Sequence, residues 1–314
     1  IKQPKRRERW INQADMALIS RKLVRLDDRV PVEKSWESFE VRKPDPGVLL
    51  PFLKEQNFRS LITTMEGRLN VQPSNPEFRS DNASGSKVPN YELVQTVDAL
   101  KVWITEADRL GIVAIDTETT SLDPMRADLV GISLAVRCGH ACYIPLAHKA
   151  KNTGPMDDLL DRSKITPDPE QIPLNEALSL LKPILEDASI LKIGQNIKFD
   201  KQILRHHGVE IRPIDDTMLI SYTLDGGLHG HGMDELAREI LGVETIKFKD
   251  VVGTGKSKIT FDYVELDKAL VYAAEDADIT LSLHSVLKKR LAQEHMVNVY
   301  ETLERPLIPV LEEM

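Results

Sequence analysis

Gly111-Ile112-Val113-Ala114-Ile115-Asp116-Thr117-Glu118-Thr119 is the stretch on which the fold turns. A run of small and β-branched apolar residues opens at a glycine and ends in two carboxylates two positions apart. This predicts a buried strand with both acids on one face at its end. Two carboxylates so placed can touch one ion, and hard divalent cations take oxygen ligands with few protein contacts. Alone, Asp-x-Glu is weak evidence, because strand ends are often acidic.

Working outward, Tyr91-Glu92-Leu93-Val94 reads as a strand and residues 96 to 110 as a helix leading into the decisive run. Asp128 to Arg137 and Ala141 to Leu146 read as two strands joined at Gly139, a hairpin extending the same sheet. After a polar segment, 149 to 170, come a helix over 173 to 187, the strand Ile190-Leu191-Lys192-Ile193, and a helix from about 197 to 207. Long helical patterns follow at roughly 263 to 292 and 296 to 314. Strands first paired as neighbours, then alternating with helices, predict an α/β fold with a mixed five-stranded sheet flanked by helices.

A small helical segment is expected ahead of this domain. Residues 5 to 25 form a basic pattern with Trp10, Ile11, Ala14, Ala17, Leu18 and Leu23 near helical spacing, and a helical pair is expected in 47 to 66. Residues 71 to 90, rich in Ser, Asn, Pro and Gly, read as a linker. The chain starts at Ile1 and ends in a helical pattern without a stop signal, so both ends are expected to be cut.

The 314 residues, 41% hydrophobic, suffice for roughly two domains with a real core. No apolar run reaches the ~20 residues of a membrane span, and no signal peptide is evident, which predicts a cytoplasmic protein without membrane partners. Cys138 and Cys142 are too few for a disulfide framework and are expected to be buried thiols. A net charge of −8 argues against a protein that coats long duplexes, but a site gripping a few nucleotides needs only a short positive path.

Two further elements carry acids. Gly194-Gln195-Asn196-Ile197-Lys198-Phe199-Asp200 follows the strand 190 to 193, placing Asp200 in the first turn of a helix at the carboxyl end of the sheet. Taken alone, Asp200 or Asn196 would be read as support for that helix N-terminus. Tyr272-Ala273-Ala274-Glu275-Asp276 sets Tyr272 and Asp276 one turn apart on a helix. Ala273 and Ala274 would allow close packing on the sheet, with Glu275 and Asp278 solvated.

Together and in this order, the three elements resemble the exonuclease motifs of the DEDD superfamily, which has a ribonuclease H-like fold, in the branch whose last motif uses Tyr. The His branch would need histidine where Val271 stands. Asp116-Thr117-Glu118-Thr119, Gly194 to Asp200, Asp216-Thr217-Met218-Leu219 and Tyr272 to Asp278 resemble the proofreading exonuclease domain of bacterial DNA polymerase I, a family A polymerase. Glu304 to Leu311 is similar to the start of its polymerase domain, so that 294 to 314 would be that domain's first helix. Residues 1 to 70 are similar to the end of its 5′-nuclease domain, leaving 91 to 293 for the exonuclease.

The resemblance implies 3′-5′ hydrolysis of DNA by a two-metal mechanism. Asp116, Glu118, Asp200 and Asp276 would hold two divalent ions, Mg²⁺ with Mn²⁺ or Zn²⁺ as substitutes, and Tyr272 would orient the attacking water. Thr117, Leu122, Gln195, Asn196 and Phe248 would meet the strand, Leu122 and Phe248 by wedging the last bases; ordinary core packing is the alternative for these two. The implied partners are a single-stranded or frayed 3′ end of DNA and the polymerase domain, in a monomer. Gly230 stands where relatives can carry an arginine near the DNA backbone, and His229 and His231 are expected on the loop surface. Two rival readings remain: an RNA exonuclease of the same superfamily, and a catalytically silent scaffold.

Overall fold

The computed structural model describes residues 3–26, 31, 45–56, 58, 61–62, 65, 89–150 and 167–314. The chain divides into two units, Ile1–Ser74 and Asn75–Met314. In the first, the basic stretch forms α1 (Pro4–Asn12) and α2 (Ala14–Leu23) rather than one helix, because Gln13, at φ −119° and ψ 24°, leaves the helical region. The helix α3 spans Pro46–Glu55. The expected linker, apart from its last two residues, lies outside the described residues, as does most of the second half of the expected helical pair.

The second unit is built on β1 (Asn90–Leu93), β2 (Ile112–Thr119), β3 (Leu129–Arg137), β4 (His140–Pro145), β5 (Leu191–Gly194) and β6 (Ile214–Asp216). These form one mixed sheet in the order β1-β4-β3-β2-β5-β6. The β2–β3 and β3–β4 pairs are antiparallel; β1–β4, β2–β5 and β5–β6 are parallel. The sheet therefore has six strands where five were expected. The missed strand, β6, is three residues long, too short to display any alternation.

Helices cover both faces. On one side α4 (Val97–Leu110) and α5 (Leu174–Glu186) bury Leu100, Trp103, Leu178 and Leu181 against Val113, Ile115, Ile132 and Leu134. Thr96 caps α4 by accepting the Ala99 N–H, and Gly111, at φ 67°, ends it in the left-handed conformation that favours glycine. The same side receives α6 (Ile197–His206), and α7 (Thr217–Asp225) follows β6 directly.

The opposite face has a row of small residues at its centre. Ala114, Ala135 and Ala141 are cross-strand partners in one row, and Ala274 and Ala277 of the long helix α10 (Leu266–Gln293) pack on them. These alanines put little bulk between helix and sheet, so α10 can approach closely along that row, with Ile193 and Leu281 completing the same buried cluster. Between α7 and α10 come α8 (Met233–Leu236), which continues as a π-turn over Ala237–Leu241, and α9 (Phe248–Val252).

The expected helix at 296 to 314 is divided into α11 (Val297–Val299), a π-turn over Tyr300–Glu304 and α12 (Arg305–Glu313). Pro306 has no N–H to give to the turn before it, and the widened turn accommodates that loss. Tyr300 and Ile308 of this segment are buried in the cores of the second unit.

Candidate active site

The end of β2 and the middle of α10 bring three carboxylates together. Asp116, Glu118 and Asp276 each offer an oxygen lying within 4.8 Å of the other two. Asp116 and Glu118 share a face because they are two apart on a strand, and they pair with Ser133 and Gly131 on β3. Their neighbours on that face are the alanines on which α10 rests, so the close approach that packs the helix also delivers Asp276 to the strand end.

Asp200 stands beside this group rather than within the set of three. From the first turn of α6 its Oδ1 accepts the Thr117 N–H at 2.9 Å and the Thr117 hydroxyl at 2.6 Å. Its charge still reaches its neighbours. Burial first, and then Asp116, holds Asp200 well above the usual carboxylate range. Burial followed by Asp116, Asp276 and Asp200 does the same to Glu118. Asp116 is raised by burial and by Asp276, and Asp276 is pushed up to about 8, chiefly by burial. Glu118 Oε1 is moreover buried without a hydrogen-bond partner. A donor set of carboxylate oxygens only, mutually repelling and with one orphaned atom, fits hard divalent cations.

Tyr272 is hydrogen-bonded to Asp276, one turn along α10. Its phenol is raised far above its ordinary value by burial, then by Asp276, Glu118 and Asp116. It stays a neutral donor. Its ring lies 5.9 Å from that of Phe248, which stacks on Phe261 at 6.3 Å, so an aromatic wall runs from the carboxylates to the surface. Phe248 is 40% exposed and Leu122, on the loop after β2, is 89% exposed. Core packing therefore does not account for Leu122.

The other expected substrate residues are held by neighbours. Thr117 is buried and turned to Asp200. Gln195 donates to the His231 carbonyl at 2.8 Å and accepts from Thr217 Oγ1 at 2.5 Å. Asn196 has a left-handed backbone, φ 59°, and its side chain makes no capping bond, which removes the simple helix-support reading of that residue.

Some expectations need correction. Asp278 is not solvated: buried beside β1, it accepts from Tyr91 Oη at 3.0 Å and the Gly139 N–H at 2.7 Å, because the long helix turns that side toward the β3–β4 hairpin. Glu275 is partly buried and accepts the Ile246 N–H at 2.7 Å. Cys142 is buried, but Cys138 is exposed at the hairpin turn. His229 and His231 are not free surface groups. Their rings lie 4.9 Å apart, with His229 against Asp225 at 3.5 Å and His231 bonded to Ser221 at 2.9 Å.

Sequence reasoning missed Tyr143 and His148. Tyr143 is fully buried and lies over Gly131, its hydroxyl 2.7 Å from His148 Nε2, while His148 Nδ1 faces the Val264 carbonyl at 3.1 Å. Asp215 was missed as well, and Asp216, quoted only within a resembling segment, was given no role, since no local pattern marks a carboxylate that acts on distant backbone.

A ribonuclease H-like sheet bearing acids at the end of its central strand, joined by one from a packed helix, defines a nuclease fold of the carboxylate type. Residues 91–292 match the family model described as 3′-5′ exonuclease, and the chain belongs to that family. It is 37% identical to DNA polymerase I of Rhizobium leguminosarum, covering 100% of this chain and 37% of that protein. It is 33% identical to DNA polymerase I of Pseudomonas aeruginosa, over 95% and 31%. The chain thus spans about a third of the length of these relatives, and it is a nuclease of the polymerase I exonuclease type. Solved structures share the fold: Escherichia coli RNase D (TM-score 0.51, 21% identical, 72% of this chain and 51% of that one) and Brucella melitensis NrnC (0.50, 23%, 71% and 91%). Among the described residues, no helix is long and apolar enough to cross a membrane.

Proposed function

We propose that this chain removes nucleotides from the 3′ end of DNA by hydrolysing the terminal phosphodiester, releasing nucleoside 5′-monophosphates. The observation that carries this is the convergence of Asp116, Glu118 and Asp276 around a space with an orphaned glutamate oxygen. Asp116, Glu118 and Asp276 would hold one divalent ion, and Asp200, beside Asp116, would hold the second, with Mg²⁺ the first choice and Mn²⁺ or Zn²⁺ as substitutes. When bound, two such ions lower the pKa of the attacking water and stabilise the leaving oxygen.

The residues supply the rest. Tyr272, kept neutral by burial and the neighbouring acids, donates a hydrogen bond and orients the water rather than taking its proton. Thr117 fixes Asp200 against the strand that carries Asp116 and Glu118. Leu122 and the exposed edge of Phe248 would grip unstacked terminal bases, a sequence-independent mode suited to a frayed end. Gln195 and Asn196 would lie along the strand, and Gly230 would offer its backbone only.

The likeness to polymerase I favours DNA over RNA, a working partnership with a polymerase domain, and action as a monomer in the cytoplasm. On that likeness we assign 1–70 to the end of a 5′-nuclease domain, 71–90 to a linker, 91–293 to the exonuclease and 294–314 to the first helix of the polymerase domain. The test compares matched single-stranded DNA and RNA with Mg²⁺ or Mn²⁺, alongside Asp200→Ala with a folding check. DNA trimming lost in the variant is expected. Faster RNA turnover would overturn the choice of substrate, and no mononucleotide release from either would leave the scaffold reading standing.

A further inference from the structure

Outside the carboxylate group, one buried acid collects four backbone amides. Asp216, at the end of β6, accepts from Met218 N at 2.9 Å and Leu219 N at 3.4 Å, the ordinary capping of α7, which it begins. The other two donors belong to a different helix. Asn196 N reaches Oδ1 at 3.0 Å and Ile197 N reaches Oδ2 at 3.0 Å, both at the start of α6. Asn196 leaves α6 without a side-chain cap of its own, so a carboxylate twenty residues away satisfies amides that the helix start would otherwise leave unpaired.

That placement has a consequence one turn further along. Asp200 lies in the first turn of α6, and a helical turn moves as a unit, so the point at which the helix starts sets where the Asp200 carboxylate meets Thr117. Asp216 is itself anchored. Its N–H donates to Tyr300 Oη at 3.0 Å, and Tyr300 in turn donates to Asp215 at 3.2 Å. Asp215 also receives His284 at 2.8 Å, Lys288 at 2.9 Å and Arg305 at 3.3 Å. A hydrogen-bonded route thus runs from the C-terminal helices to the site.

We propose that Asp216 is a positioning residue of the exonuclease: it fixes the start of α6, and through it Asp200, while Tyr300 ties that geometry to the segment 297–313. The inference rests on the proposed function for the role of Asp200. Asp216→Ser separates its two duties, because a serine hydroxyl still caps α7 but is too short to serve Asn196 and Ile197 as well.

In the variant, the amides of residues 196 and 197 lose hydrogen-exchange protection while those within α7 keep it. Calorimetry with Mn²⁺ alone shows affinity weakened by about tenfold to a hundredfold, the usual effect of removing a residue that orients ligands. The kcat for a single-stranded DNA oligonucleotide falls by about tenfold or more at nearly constant KM, since the lost interaction is one of alignment. Tyr300→Phe, which keeps the ring and removes only the hydroxyl, moves each readout the same way by less. If Asp216→Ser only lowers the melting temperature and leaves Mn²⁺ affinity and kcat within about twofold of the parent, the residue is merely structural and the proposal fails. Should that variant not fold, Asp216→Asn, which keeps Oδ1 but turns an amide on Ile197 N–H, decides by the same readouts. Were the parent chain to release no nucleotide, the nuclease reading would fall, while Mn²⁺ affinity and amide exchange would still decide the positioning role.

Discussion

Gly131→Ala adds one methyl group at the most crowded point beside the site. A Cβ at Gly131 would stand 2.6 Å from Tyr143 Cε2 and closer still to its Cζ and Oη, well inside van der Waals contact. Tyr143 has nowhere to go: it is fully buried, its hydroxyl is bonded to His148 at 2.7 Å, and its ring meets Phe261 edge-on at 6.4 Å. Overpacking of this kind costs about 1–3 kcal/mol, and loss of the buried hydrogen bond adds about 1 kcal/mol. The sum, roughly 2–4 kcal/mol, should lower Tm by about 4–16 °C in a unit of this size. Because Gly131 is the cross-strand partner of Glu118, kcat should fall as well. Calorimetry and nucleotide release measure the two effects, and Tyr143→Leu in the same chain makes the losses non-additive, since it removes the ring that clashes. An alanine variant with parental Tm and kcat would refute the packing argument.

Other outcomes follow from the same geometry. Saturating Mn²⁺ should stabilise the protein, by about 2.7 kcal/mol at a hundred times its Kd, and Asp276→Asn should abolish most of that gain; a thermal shift that survives the substitution would count against the carboxylate site. Leu122→Ala should leave Tm unchanged, because the side chain is exposed, and raise KM for single-stranded DNA about threefold to tenfold; an unaltered KM would remove Leu122 from the strand's path. Burial alone would raise Asp215, but the hydrogen bonds of His284 and Lys288 outweigh it and hold the carboxyl at about 2 against an ordinary 3.8. The folded pKa being depressed, this contribution, about 2 kcal/mol, is present above pH ~4 and is lost as pH falls toward ~2. An NMR titration of the Asp215 carboxyl with an ordinary midpoint would contradict it.

Much of the architecture was legible because it is written in local periodicity. The strand ending in Asp116 and Glu118, the Gly139 hairpin and the helices before and after β5 lie where alternation and apolar spacing place them. Elements without a period escaped: β6 is three residues long, the break at Gln13 has no glycine or proline to announce it, and the Tyr300 π-turn interrupts a pattern that reads as continuous. At the site, Asp-x-Glu and Tyr-x-x-x-Asp could be read as same-face pairs, since strand and helix geometry fix those directions.

What the sequence by itself determined is the inventory: which acids stand at element ends, which face each shares, and the family to which their order belongs. Only the tertiary structure decided which of them meet. A row of alanines lets α10 come close enough for Asp276 to join the strand acids, while Asp200 is drawn aside onto Thr117 and Asp278 is taken up by Tyr91 and Gly139. The reason is range. Periodicity acts over a few residues, whereas the roles of Asp216, Tyr143 and Asp200 depend on partners brought near only when the sheet and its helices close on one another.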